Sequence, residues 1–334
     1  MGELRLYRGG DGPRPDGQIR MDSLTIALAQ IAPVWFDRER TLEKVADSIS
    51  EAAASDADLV AFGEALVPGY PFWIEYSKET AFNSPFHKAF HAEYVMQAVV
   101  IERGDLDGIC RLAAEKKIAI YLGIIERPGD RGESVYASLV YISKSGEIGS
   151  VHRKLMPTYD ERMTWAIGDG NGLRTHRLGE FTVGGLNCWE NWMPLARTAL
   201  YAQGEDLHVA VWPGSKRNTN DITRFMALEG RSFVASVSGL MRRSDLPSHL
   251  PGIEQVIENA PEFLANGGSC IAGPDGNWII EPFCDEEKLL IATLDHTRVR
   301  EERQNFDPTG HYSRPDVLEL RVNRARQRVA SFED

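Results

Sequence analysis

GGLNCWENWMPLAR, residues 184–197, joins the end of one element to the start of another. Upstream, TVGGLNC (182–188) is a short apolar run; downstream, PLARTALYAQG (194–204) opens on proline and closes on Gly204. Proline presets helical φ and lacks the N–H that a first turn leaves unpaired, while glycine just past a last turn is a common stop. The stretch is therefore read as strand, tight turn and helix, with Cys188 presented in the turn.

The same alternation extends both ways. LTIALAQI (24–31), DLVAFGE (58–64), IAIYLGII (118–125) and SVYASLVYIS (134–143) read as strands, and Ser145-Gly146 as a hairpin turn into EIGSVHRK. Beyond the central stretch, LHVAVWP (207–213), FVASVSGL (233–240) and LLIATLD (289–295) are strands, and GGSCIAGPDGNWIIEP is two more around Pro274-Asp275-Gly276-Asn277. Between them, residues 37–55 place Leu42, Val45, Ala46, Ile49 and Ala53 on one helical face. Further helices are expected over 84–101, 105–117 and near 219–230. Segments 242–265 and beyond 303 are polar and read as loops or contact arms. Strands this apolar, with little alternation, belong to sheets covered on both faces, so an α/β fold is expected. No linker or internal repeat divides residues 22–300.

Composition narrows the function. The chain has 334 residues, 43% of them hydrophobic, enough for a sizeable core. Its 37 basic and 49 acidic side chains give a net charge of −12, which argues against nucleic acid or anionic lipid as partner. No apolar run reaches the length of a membrane span, and the first residues lack the apolar stretch of a secretory signal. Four cysteines with no CxxC pair point to a reduced, cytoplasmic protein. Residues 8–20 are rich in Gly and Pro, so 1–21 is read as a flexible N-terminal extension.

Three polar side chains stand at the ends of apolar segments. Cys188 follows a strand with two glycines just before it, the arrangement of a nucleophile elbow, where a thiol serves as a thiolate favoured by a nearby cation. Glu64 closes DLVAFGE, where partial burial would raise its pKa toward that of a general base. Lys154 ends VHRK before Pro157, placed to stabilise an anion. Each has an ordinary reading too: a buried small side chain, a strand-end carboxylate in water, a solvated lysine. GxSxG, HExxH, P-loop and GxGxxG motifs are absent, and the eight histidines show no paired ligand spacing, so neither a metal nor an organic cofactor is expected. His152, beside Lys154, reads as a supporting or surface residue.

Taken together, these segments resemble the nitrilase (carbon–nitrogen hydrolase) superfamily over most of residues 23–317. FGEALVPGYP (62–71) is similar to its glutamate motif, HRKLMPTYDER to its lysine motif and GLNCWENWMPLAR to its cysteine motif. AQIAPVWFD, HVAVWPG, GGSCIAGPDG and DPTGHYSRPDV extend the likeness. Cys188-Trp189-Glu190 resembles the nitrilase branch rather than the amidase or carbamoylase branches, although Gly63 stands where nitrilases commonly carry Pro. The resemblance implies a four-layer α-β-β-α sandwich, a hydrolase domain over 22–300 and a C-terminal arm (301–334) in subunit contacts of a homodimer or larger homo-oligomer. It implies a Glu64–Lys154–Cys188 triad, Glu161 as a fourth site residue seven positions after the lysine, and Tyr70, Trp165 and Trp189 as pocket walls. The implied activity is hydrolysis of a small organic nitrile to acid and ammonia. Alternatives that use the same triad are an amidase or carbamoylase and a cyanide-degrading nitrilase; a non-catalytic protein that kept the sandwich is the remaining one.

Overall fold

Both faces of each central strand are buried. In β1 (Ser23–Gln30), Leu24, Ile26 and Leu28 face one hydrophobic cluster while Ala27 and Ala29 face another. The computed structural model describes residues 22–330, so the expected N-terminal extension, 1–21, lies outside the described residues. β1 is followed by β2 (Leu59–Phe62), β3 (Ala119–Glu126), β4 (Tyr136–Ile142) and β5 (Ile148–Arg153). The second half supplies β6 (His176–Leu178), β7 (Phe181–Asn187), β8 (Leu207–Trp212), β9 (Phe233–Ser238), β10 (Leu240–Arg242), β11 (Phe263–Ala272), β12 (Trp278–Cys284) and β13 (Lys288–Asp295). They form two mixed sheets, ordered β13-β1-β2-β3-β4-β5 and β10-β11-β9-β8-β7-β6, with β12 on β11. Within each sheet three strands run parallel: β1, β2 and β3 in one, β7, β8 and β9 in the other.

The layers follow from which side chains meet. Between the sheets, Ile26, Leu28, Tyr121 and Leu139 share a core with Val183, Val209, Phe233 and Val237. Outside the first sheet, the helices Arg38–Ala54 and Asp107–Lys116 bury Val45, Ile49, Ile109 and Ala113 on Val60, Ile120 and Leu122. Outside the second, Ala196, Ala199 and Leu200 cover Leu186, and Ile222 and Met226 cover Ala210 and Val234. This is the expected α-β-β-α sandwich.

Local departures have local causes. The expected helix over 84–101 starts as read, with Ser84 as its cap and Pro85 at the first position, but ends at Gln97, because Ala98 turns extended and Val99 pairs with β3 through Ile125 O. Segment 242–265, read as irregular, contains a helix over Ile253–Asn259 and the start of β11. That helix buries only Ile253 and Val256, against a cluster that includes Trp73 and Ile74, so its apolar face is too short to register in the sequence. After the short helix Thr297–Glu302, residues 304–330 carry no helix or strand. This tail nonetheless docks: Arg326 Nη1 donates to Asp169 Oδ1 at 3.0 Å and Gln327 Nε2 to Gly168 O at 3.0 Å. Gly168 N in turn donates to Lys154 O at 2.9 Å. Among the described residues, no helix is long and apolar enough to cross a membrane.

Candidate active site

Three strands deliver three side chains to one place. Glu64 lies two residues past β2, Lys154 one past β5 and Cys188 one past β7, and all are buried. Parallel strands in each sheet bring their carboxyl ends to one edge, where open α/β sheets generally bind ligands. Lys154 Nζ is 2.8 Å from Glu64 Oε1 and 2.6 Å from Glu161 Oε2. The Cys188 sulfur and an oxygen of each carboxylate lie within 4.8 Å of one another. That spacing would suit a metal ion, but the Lys154 ammonium already supplies the positive charge between the carboxylates.

The turn carrying the thiol is held from several sides. Cys188 has φ 51°, the left-handed region that a nucleophile elbow imposes. Two residues on, buried Glu190 accepts from Asn187 N at 2.9 Å, from His152 Nε2 at 3.1 Å and from Leu155 N. One carboxylate thus fastens the cysteine turn to the lysine loop. Burial raises the Glu190 pKa, but His152 and the two backbone N–H groups outweigh it and hold the carboxyl below its ordinary value. Upstream, a Cβ on Gly184 would lie 2.1 Å from Glu205 Oε1, so β7 needs glycine there for close packing. Gly63 answers a similar demand: a Cβ would come 2.8 Å from Gly239 N.

Glu161 sits in a 3₁₀ turn, Tyr159–Met163, whose start is closed by a reciprocal Thr158–Glu161 cap. Its carboxylate accepts from Lys154 Nζ at 2.6 Å, Tyr70 OH at 2.7 Å and Thr158 N at 2.5 Å. By contrast, Glu64 faces the ammonium at 2.8 Å from Oε1, and neither of its oxygens has a further donor among the described residues. Glu161 is saturated and Glu64 is left with free lone pairs, the condition a base requires.

Electrostatics sharpens the contrast. Burial pushes the Glu64 carboxyl up to about 8, with Lys154 opposing and Glu161 adding to the rise. Burial works against the Lys154 ammonium, but Cys188, Glu64 and Glu161 more than offset it and hold the pKa above the ordinary lysine value. Burial and Glu64 drive the Cys188 thiol well above its usual pKa, with Lys154 pulling the other way. The expected cation stands beside the sulfur, but burial and Glu64 oppose its pull, so removing the thiol proton during attack falls to a base.

Of the remaining expected residues, Tyr70 and Trp165 are in the site and Trp189 is turned away. Tyr70 and Trp165 meet edge to face at 5.4 Å, and Lys154 Nζ lies 5.2 Å from the Trp165 ring centre. Trp189 is 49% exposed, and its ring neighbours Trp192 at 6.3 Å; its backbone N–H, rather than its ring, acts on the Cys188 thiol, whose pKa it lowers. Glu190 and Asn191 escaped the sequence reading as site residues. The signal available was a polar pair, Glu-Asn, close behind the nucleophile, where a purely structural turn would not require two buried polar side chains.

Comparison with known proteins gives one consistent answer. A family model described as carbon–nitrogen hydrolase matches residues 25–304. The chain is 36% identical over 312 residues to "Nitrilase 2" from an unknown prokaryotic organism, covering 93% of this chain and 96% of that protein. It is 34% identical over 303 residues to "Aliphatic nitrilase" of Sinorhizobium fredii (strain HH103), covering 91% and 96%. The crystal structure of a carbon–nitrogen hydrolase from Helicobacter pylori G27 superposes with a TM-score of 0.66 at 20% identity, covering 88% of this chain and 96% of that one; this likeness speaks for the fold.

Proposed function

The chain belongs to the carbon–nitrogen hydrolase family, and from that premise we propose that it converts an organic nitrile to the carboxylic acid and ammonia, with Cys188, Glu64, Lys154 and Glu161 as its machinery. The observation that carries this reading is the buried convergence of one thiol, one unsaturated carboxylate and one ammonium.

Glu64 accepts the Cys188 proton as sulfur attacks the nitrile carbon, and returns it to the substrate nitrogen, leaving a thioimidate. Lys154 and the Trp189 N–H stabilise the negative charge that develops on that nitrogen. Water then adds, giving up a proton to Glu64; the tetrahedral carbon expels ammonia, protonated through the same carboxyl, and a thioester remains. A second water, deprotonated by Glu64, displaces the sulfur, which takes the proton back as the acid departs. Two waters are consumed per nitrile, and all atoms are accounted for without a further reagent. Glu161 keeps the ammonium in place, and Tyr70 keeps Glu161. Trp165 forms the apolar wall beside Lys154. We further propose that residues 22–300 are the hydrolase domain, that the tail from 301 contributes to subunit contacts of a cytoplasmic homo-oligomer, and that no cofactor takes part.

The test is an ammonia-release screen with matched nitriles and amides, coupled to mass spectrometry of the quenched protein. The expected result is acid and ammonia from nitriles, with an acyl adduct on Cys188. Ammonia from the amides alone would replace this reading with an amidase.

A further inference from the structure

Three buried side chains beneath the Cys188 turn take no part in that scheme: Asn191, His208 and Glu205. They form a chain. Asn191 Nδ2 donates to Cys188 O at 2.8 Å and to Leu186 O at 3.3 Å. Asn191 Oδ1 is 2.8 Å from His208 Nε2, and His208 Nδ1 is 2.9 Å from Glu205 Oε1. Two carbonyl oxygens can receive only the NH₂ end of the amide, so its oxygen faces His208 and Nε2 must carry a hydrogen. Burial raises the Glu205 carboxyl pKa; as the acid donating to Nδ1, or as the carboxylate accepting from a doubly protonated ring, Glu205 fixes the imidazole in that orientation. Arg197, paired with Glu229 at 2.6 Å, also donates to Asn191 O at 2.7 Å, so the asparagine is held by main chain and side chain alike.

The consequence lies in covalent geometry. The Cys188 carbonyl and the Trp189 N–H belong to one planar trans peptide unit and point in opposite directions. Holding the carbonyl down on Asn191 aims the N–H the opposite way, toward the sulfur side of the turn. Because Cys188 sits in the left-handed region, this peptide would otherwise be free to relax by rotating. We propose that Glu205, His208 and Asn191 are positioning residues that aim the Trp189 N–H at the charge developing on the substrate. The proposal rests on the reading of Cys188 as nucleophile.

The test uses the full-length enzyme, its best nitrile, the corresponding aldehyde and iodoacetamide. With the aldehyde, a carbon–sulfur bond forms, the carbonyl π pair moves to oxygen and the thiol proton passes to Glu64. The resulting oxyanion needs the aimed N–H, whereas alkylation by iodoacetamide develops no charge there. Asn191→Ala is expected to lower kcat by about 10–100-fold, a fraction of the effect of deleting an oxyanion donor, and to weaken aldehyde inhibition by the same factor. KM and the iodoacetamide rate should stay within about threefold of wild type, since ground-state binding and the thiol are untouched. His208→Phe should reproduce the pattern at about tenfold, and His208→Gln, which restores a donor near the Nε2 position, should return both values to within about threefold.

Aldehyde affinity unchanged while kcat falls, or alkylation falling in step with kcat, would overturn the proposal, as would variants indistinguishable from wild type. Should Asn191→Ala not fold, the two His208 variants decide alone. A wild-type enzyme that releases no ammonia from any nitrile defeats the reading of the site and the proposal with it; an active wild type with unaffected variants defeats only the proposal.

Discussion

Replacing Glu161 by glutamine should make the enzyme work at lower pH while making it slower. The Glu161 and Glu64 carboxylates lie within 4.8 Å of each other. At an effective dielectric constant of about 20, two unit negative charges at that distance repel by about 3.5 kcal/mol, or about 2.5 pKa units. Lys154 lies between them and absorbs part of that repulsion, at 2.8 Å and 2.6 Å. Glutamine removes the charge and leaves the ammonium to Glu64, so the Glu64 pKa should fall from about 8 to roughly 6–7. The sign is definite: a base whose proton is lost earlier becomes available at lower pH, so the acid limb of kcat/KM moves down. The plateau should drop by up to about 100-fold, because a glutamine NH₂ clashes with one of the donors now served by the carboxylate and the ammonium, still on Glu64, loses its second anchor. The assay is the pH dependence of kcat/KM between about pH 5 and 10, bracketing the expected titration, with the rate of Cys188 alkylation as a substrate-free check. An acid limb that stays in place, or moves up, would refute the assignment of Glu64 as the group titrating near 8.

Other perturbations read other parts of the site. Cys188→Ala should abolish turnover with its unfolding midpoint essentially unchanged; hydrolysis by this folded variant, followed by ammonia release, would exclude the covalent route. Gly184→Ala drives a methyl to 2.1 Å from Glu205 Oε1 and should cost about 1–3 kcal/mol of stability as overpacking, measured as a lower denaturant midpoint at constant slope. Equal midpoints would mean that Glu205 yields freely.

The sites legible in the sequence were those where a polar residue interrupts an apolar strand end. Cys188, Glu64 and Lys154 share that signature, because a charge or thiol at the covered end of a sheet is costly unless it is used. Glu161 has no such mark: it lies in a short turn, and only the likeness of HRKLMPTYDER to a family motif pointed to it. For Trp189 the sequence could not say which way a residue leaves a turn with positive φ, and the side chain leaves outward while its N–H stays. Asn191 and His208 are 17 residues apart and meet only because β7 and β8 are parallel neighbours. A histidine in the otherwise apolar LHVAVW was the trace of that contact. The fold class was readable from doubly covered strands, whereas the helix at Ile253–Asn259 was not, because two buried side chains make no periodicity.

The docking of the tail on Asp169 and Gly168 bears on how this enzyme is handled in the laboratory. The tail fastens to the segment that hydrogen-bonds the main chain of Lys154, and that fastening reaches Gln327. A purification handle fused close behind Gln327 would pull on that fastening. Lost turnover in such a fusion would therefore reflect tension on a seam, curable by moving or cleaving the handle, rather than a defect of the protein itself.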